Sequence, residues 1–229
     1  MAESGGVPYR TSRSLRLIVL LTMAAGFLDA YTFLGRGGVF ATAQTGNVVL
    51  LGVQAAQAQW AEALRHVPPI IAFVVGVWVA ETIRQPRVAV ALRKPARAAL
   101  VLEILVLVVV GVLPSGVSDD LVAVMIAFVA SVQITSFGLI GRWSFNTTVT
   151  TTNLRNAAQA LYGAAVRRDR DAAAQARSLW PAIVSFAVGA LLGGLVTARV
   201  GDRAVWVATG LLLAGLALFL ADDRRRGIA

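Results

Sequence analysis

Apolar residues gather in six stretches, at about 15–34, 68–83, 98–113, 121–141, 180–198 and 204–221. A bilayer core roughly 30 Å thick takes about 20 apolar residues in helical form, so each stretch reads as a membrane-spanning helix. The third is the shortest and predicts little tilt. Between the first and second runs lies ATAQTGNVVLLGVQAAQAQWAEALRH, and between the fourth and fifth NTTVTTTNLRNAAQALYGAAVRRDRDAAAQARSL. Both are too polar to cross and too patterned to be coil. Each opens on helix-capping residue types, Thr45 or Asn47 and Thr152 or Asn153, and continues as an alanine-rich amphipathic helix. The expected fold is all-α and polytopic, with a non-spanning or re-entrant helix after the first span of each half.

The two halves are copies. Ala24 to Asn47 aligns without a gap on Ala130 to Asn153, 106 positions later, and the two segments share Gly35/Gly141, Arg36/Arg142, Thr42/Thr148, Thr45/Thr151 and Asn47/Asn153. PPIIAFVVG at Pro68 matches PAIVSFAVG at Pro181 after a seven-residue lengthening. The reading divides the chain into a flexible cytoplasmic N-terminus (1–14), a first repeat (15–113), a second repeat (121–221) and a cytoplasmic tail (222–229). If neither amphipathic helix crosses, each repeat holds three spans, and an odd number inserts the copies upside down relative to each other. If both crossed, eight spans and parallel copies would result.

Basic residues fix the expected orientation. With six spans and the N-terminus inside, 17 Lys and Arg fall on one side and only Arg36, Arg65, Arg199 and Arg203 on the other. Cytoplasmic loops carry such an excess, so both termini are expected in the cytoplasm. Arg10, Arg13 and Arg16 resemble a signal-peptide flank, but the internal copy of the first run argues for a retained span. Gly76 and Ala80, matched by Gly189 and Gly193, have the small-residue spacing that lets helices approach closely.

Composition narrows the function classes. The chain is 57% hydrophobic and 14% charged, with a mean hydropathy of +0.72, far from the roughly 25% charged residues of soluble domains. The net charge of +9 is scattered between apolar runs, so nucleic acid is not the expected partner. The chain has no cysteine and a single histidine, His66, which reads as an interfacial residue. No hydrolase, zinc-protease or nucleotide-binding motif is present. The expectation is a protein that is not an enzyme and has neither cofactor nor metal.

Chemistry concentrates after the first run of each repeat. Gly35-Arg36-Gly37-Gly38 breaks the helix, and non-helical backbone at membrane depth is tolerated only where protein or a watery cavity satisfies it. Gln44, Thr45, Gly46 and Asn47, with Thr150, Thr151 and Asn153, would form two helix starts facing a shared polar site, as broken helices do in inverted-repeat transporters. The plainer reading is that they only cap helices. Asp29 is an ionisable group inside a span; it either couples transport to protons or pairs with Arg36, seven positions on. Its repeat counterpart is Thr135, with Gln133 nearby. Arg36 and Arg142 would stand on opposite sides as gates or snorkel to headgroups. Glu103 is expected in a buried structural hydrogen bond, and Asp222 and Asp223 in a solvated tail.

The run GFLDAYTFLGRGGVFATAQTGNVVLLG, from Gly26 to Gly52, resembles the hallmark of the YoaK family, bacterial inner-membrane proteins grouped as domain of unknown function 1275. Its Gly-Phe-x-Asp-Ala, Gly-Val-Phe and Gln-Thr-Gly-Asn elements are here Gly26, Phe27, Asp29, Ala30; Gly38, Val39, Phe40; and Gln44, Thr45, Gly46, Asn47. The resemblance implies a six-span inner-membrane protein but neither substrate nor mechanism. Transport of a small polar or anionic solute is the function expected from the site. A small-ion channel and a non-transporting scaffold or lipid-binding protein are the alternatives. The expected partners are the lipid bilayer and that solute, and pairing into a homodimer is left open.

Overall fold

The computed structural model describes residues 11–92, 94–114, 116–148 and 150–225. The part of the expected flexible terminus over 1–10 and the end of the tail over 226–229 lie outside the described residues. Among the described residues there are ten α-helices: α1 (Leu15–Gly35), α2 (Gln44–Ala56), α3 (Trp60–Leu64), α4 (Val67–Arg84), α5 (Pro86–Leu92), α6 (Pro95–Val112), α7 (Asp119–Ser136), α8 (Thr150–Val166), α9 (Arg170–Val200) and α10 (Val205–Arg225). Short 3₁₀ turns precede α1 at Thr11–Arg13 and join α9 to α10 at Gly201–Ala204. The protein is an all-α membrane protein.

Five stretches among the described residues are long and apolar enough to cross a bilayer: Leu15–Gly35, Trp60–Arg84, Pro95–Val112, Asp119–Ser136 and Arg170–Asp222. The last, 53 residues long, contains both α9 and α10. At 1.5 Å per residue, the 13 residues of α2 reach about 20 Å, short of a bilayer core. The 17 residues of α8 reach about 25 Å and include Arg155.

Local chemistry explains the helix ends. The Ser14 hydroxyl accepts from the Leu17 amide at 3.3 Å and caps α1. The Asp169 carboxylate caps α9 through the amides of Asp171 and Ala172. Asp119 and Asp120 in the first turn of α7 offset the positive end of its dipole. Pro68, Pro69 and Pro95 sit in first turns of α4 and α6, where an N–H is not missed.

Two differences from the sequence reading stand out. The run at 121–141 is not one helix: α7 stops at Ser136, and Leu139–Ile140 (β1) pairs antiparallel with Trp143–Ser144 (β2). Gly141, at φ +58°, supplies the left-handed residue that the tight turn needs. Nor is the start of the tail free, because α10 continues to Arg225 and Asp222 accepts a 2.7 Å hydrogen bond from Thr11.

The packing is reciprocal. α1 lies along α9 and α4 along α7, while α10 packs on α1, α6 on α7, and α6 and α10 on each other. Leu17, Leu21, Leu28, Leu100, Leu107, Ile126 and Leu212 are fully buried in the core these helices share. Twelve of the 21 residues of α1 are buried, against four of 18 in α4 and six of 18 in α6, which makes α1 the central helix. α1 and α7 run antiparallel: Arg36, after the end of α1, bonds Asp119 at the start of α7, and the Gly141 amide, beyond the end of α7, bonds the Arg13 carbonyl before α1.

Glycine permits the closest helix pairs. A Cβ on Gly189 would collide with the Met23 carbonyl, and one on Gly76 with the Phe128 carbonyl and the Ser131 hydroxyl. Gly189→Ala should therefore lower the thermal midpoint of the purified protein, since overpacking costs about 1–3 kcal/mol. Gly52→Ala, with nothing within 4 Å of the new methyl, should hold or raise it, because alanine gains up to ~1 kcal/mol over glycine in a helix. Equal midpoints for the two variants would contradict the packing.

Candidate functional site

The segments after α1 and α7 fold back on themselves by the same device. The Asn47 side chain accepts from the Phe40 amide at 2.9 Å and donates to the Phe40 carbonyl at 2.7 Å. The Asn153 side chain accepts from the Asn146 amide at 3.1 Å and donates to the Asn146 carbonyl. A carboxamide matches a peptide group in donor and acceptor, so one side chain closes a seven-residue loop as a strand partner would. The two clasps lie 106 positions apart, at the offset of the sequence duplication.

Asn47 and Asn153 are 0% and 3% exposed and hold backbone; neither is among the residues that line the cavity described below. Asn47 also binds the Gln44 side chain and, at 3.2 Å, His66 Nδ1, whose other ring nitrogen lies 3.1 Å from Gln54 Oε1. His66 is thus a buried tie between α2 and the start of α4, not an interfacial residue. Gly46 is likewise structural: a side chain there would meet the Phe40 ring. Asn47→Ala strands the Phe40 amide and carbonyl and frees His66, at about 1–3 kcal/mol for each buried group left unsatisfied. It should lower the unfolding midpoint more than Asn153→Ala, which strands only one backbone pair; the reverse order in thermal unfolding would refute this assignment.

The helix starts also differ from expectation. α2 begins at Gln44 and α8 at Thr150, ahead of the residues read as caps. The acceptor for the start of α2 comes from another helix. Asp29 Oδ1 takes the amides of Thr42 at 2.7 Å and Ala43 at 3.3 Å, and its Oδ2 takes the Thr42 hydroxyl at 2.7 Å. A carboxylate here meets both free N–H groups and the positive end of the helix dipole. Thr135, the counterpart of Asp29, bonds its own helix at the Ser131 carbonyl, and Asn146 Oδ1 serves the Thr148 amide and hydroxyl instead.

The two folded-back segments meet across one cavity of about 590 Å³. Asp29, Thr42, Gln44 and Thr45 line it from the first half, and Asn146, Thr148, Thr150 and Thr151 from the second. Phe33, Phe40, Phe73, Phe186 and Ile134 supply apolar walls, with the rings of Phe33 and Phe40 stacked 4.8 Å apart. Of the residues expected to bind solute, the cavity brings together Gln44, Thr45, Thr150 and Thr151. Phe33, Phe73 and Phe186 were not singled out from the sequence, where they read as ordinary apolar positions, and Phe40 was named only within the Gly-Val-Phe element.

The expected coupling and gating residues separate. Arg36 does not pair with Asp29. It is 5% exposed, donates to the Tyr31 hydroxyl at 3.0 and 2.9 Å, and bridges Asp119 at 3.2 Å and Asp202 at 2.9 Å. Arg142 pairs with Asp171 at 2.8 Å, both side chains more than half exposed, and lies over the Trp143 ring. Asp202 follows α9 and Asp171 stands in its first turn, so the two arginines sit at opposite ends of that helix. Gln133 is buried away from the cavity lining; its amide donates to both Glu103 oxygens, at 3.1 and 2.9 Å, and its carbonyl accepts from Thr147.

A family model described as a protein of unknown function, DUF1275, matches residues 17–218. The chain belongs to the DUF1275 family. This is the domain of the YoaK family, and the match runs from α1 into α10. No curated protein and no solved structure matches the chain. For this DUF1275 protein, then, the cavity itself is the guide to function.

Proposed function

We propose that this DUF1275 protein is a secondary transporter of the inner membrane that carries a small polar solute through the central cavity. Six spans, α1, α4, α6, α7, α9 and α10, form two inverted repeats with both termini in the cytoplasm, and α2 and α8 are re-entrant. Antiparallel α1 and α7, the reciprocal helix pairs and the matched asparagine clasps support that arrangement. Access alternates as the halves rock, with Arg36 holding one end and Arg142 the other. Asp29 couples the cavity to the start of α2, since a change in its charge alters the bonds that hold that helix, and a proton is the coupling ion.

The observation that carries this reading is the joint lining of one cavity by both Thr-rich helix starts and Asp29. Hydroxyls and amides both donate and accept, which suits a polar solute. An anion is disfavoured relative to the sequence expectation: among the described residues no Arg, Lys or His lines the cavity. Flux of labelled polar solutes into proteoliposomes, with and without a pH gradient, tests the proposal. Saturable uptake that the gradient drives is expected; conduction at channel rates, or no flux at all, would overturn it.

A further inference from the structure

The chemistry of the lining points beyond polarity alone. Among the described residues Asp29 is the one formally charged residue in the cavity wall, and the basic groups nearest in sequence are engaged elsewhere: Arg36 with Asp119, Asp202 and Tyr31, and His66 with Asn47 and Gln54. Asp29 accepts three hydrogen bonds from Thr42 and Ala43, with the Ala41 amide beside it. With both oxygens already engaged, this carboxylate does not offer the two parallel acceptors that a guanidinium seeks, and a compact ammonium is the cation it suits.

Four phenylalanine rings share the cavity with that carboxylate. Ring faces are negative and attract cations within about 6 Å, and their area accepts an apolar body. Resting on the transporter reading of this cavity, we infer that the solute is an amphipathic amine: one protonated ammonium set against Asp29, and an aromatic or aliphatic body laid on Phe33, Phe40, Phe73 and Phe186. Thr150 and Thr151 on the opposite wall then receive any polar substituent. At about 590 Å³, the cavity falls in the range of small-molecule sites, roughly 300–1,000 Å³.

Three probes of one shape separate charge from size: benzylammonium, benzyl alcohol and benzoate, titrated against the full-length protein in neutral-lipid nanodiscs, with empty nanodiscs subtracted. Benzylammonium should bind at least about tenfold more tightly than benzyl alcohol, and benzoate more weakly than either. Asp29→Asn, which keeps an oxygen for the Thr42 and Ala43 amides, should bring benzylammonium down to the level of benzyl alcohol. Phe186→Leu, away from the Asp29 network, should weaken benzylammonium severalfold more than benzyl alcohol, so the inference stays testable should Asp29→Asn fail to fold. Benzoate binding as tightly as benzylammonium, no preference for the cation, or no binding of any probe would overturn it. Uptake of benzylammonium into proteoliposomes is read separately: binding without uptake would leave the ligand class standing and remove the transporter reading.

Discussion

Asp29→Ala should cost both the fold around α2 and the activity, while Asp29→Asn should cost activity alone. Alanine leaves the amides of Thr42 and Ala43 and the Thr42 hydroxyl without the acceptor they now share. Bonds to a charged group contribute about 1.5–3 kcal/mol each, so the loss rivals the whole stability of an ordinary domain, about 5–15 kcal/mol. Poor yield and a broad, low thermal transition are the expected signs. Asparagine retains one acceptor oxygen and removes the charge. Proteoliposome uptake by Asp29→Asn should fall at least about hundredfold, which corresponds to about 2.7 kcal/mol in the barrier, with a sharp unfolding transition preserved. Undiminished uptake by a folded Asp29→Asn protein would reduce Asp29 to a helix anchor.

The second large effect separates two arginines that align with each other in the repeat read from the sequence. Arg36→Gln removes a buried guanidinium from between Tyr31, Asp119 and Asp202, three groups on three different elements. Breaking a fully buried pair costs about 3–5 kcal/mol. Here both carboxylates are close to half exposed and regain water, so about 2–3 kcal/mol is the appropriate scale once screening is counted. Arg142→Gln breaks a pair whose partners are 54% and 77% exposed, where surface ion pairs contribute about 0–1 kcal/mol. Thermal or denaturant unfolding of the two variants side by side should show a large loss for the first and little for the second. On the proposed transporter reading, Arg36→Gln loosens the end of the bundle that Arg36 ties together, and leak of solute in the absence of a gradient should rise in that variant alone.

How much of this was legible in the chain depends on the range of the interaction. The hydrophobic runs carry the membrane-type helices directly, because burying apolar length in lipid is a local property of each segment. The repeat read in the sequence has an offset of 106 residues, which is also the offset of the two asparagine clasps. What each asparagine does was not legible: a polar residue near a helix start suits a cap, a clasp or a ligand, and only the position of Phe40 or Asn146 decides. Arg36 shows the same limit. Seven residues of helix separate it from Asp29 by about 10 Å along the axis, too far for a direct pair, yet its actual partners Asp119 and Asp202 lie far along the chain. Glu103, expected in a buried hydrogen bond, and Gln133, read as a coupling or gating candidate near Thr135, are 30 positions apart and were not recognised as one pair. The end of α7 had a signal, Gly138 and Gly141 inside an apolar run, but hydropathy alone smooths over it.

Everything proposed for the cavity rests on two halves that enter the bilayer from opposite sides with α2 and α8 not crossing it. The chain has no cysteine, so single reporters need no background removed. Gln57→Cys and Arg167→Cys place thiols on exposed positions just after α2 and α8. A membrane-impermeant maleimide applied to right-side-out and to inverted vesicles should label the first from one side only and the second only from the other. Labelling of both from the same side would mean that the copies run parallel, and the inverted architecture would fall with it.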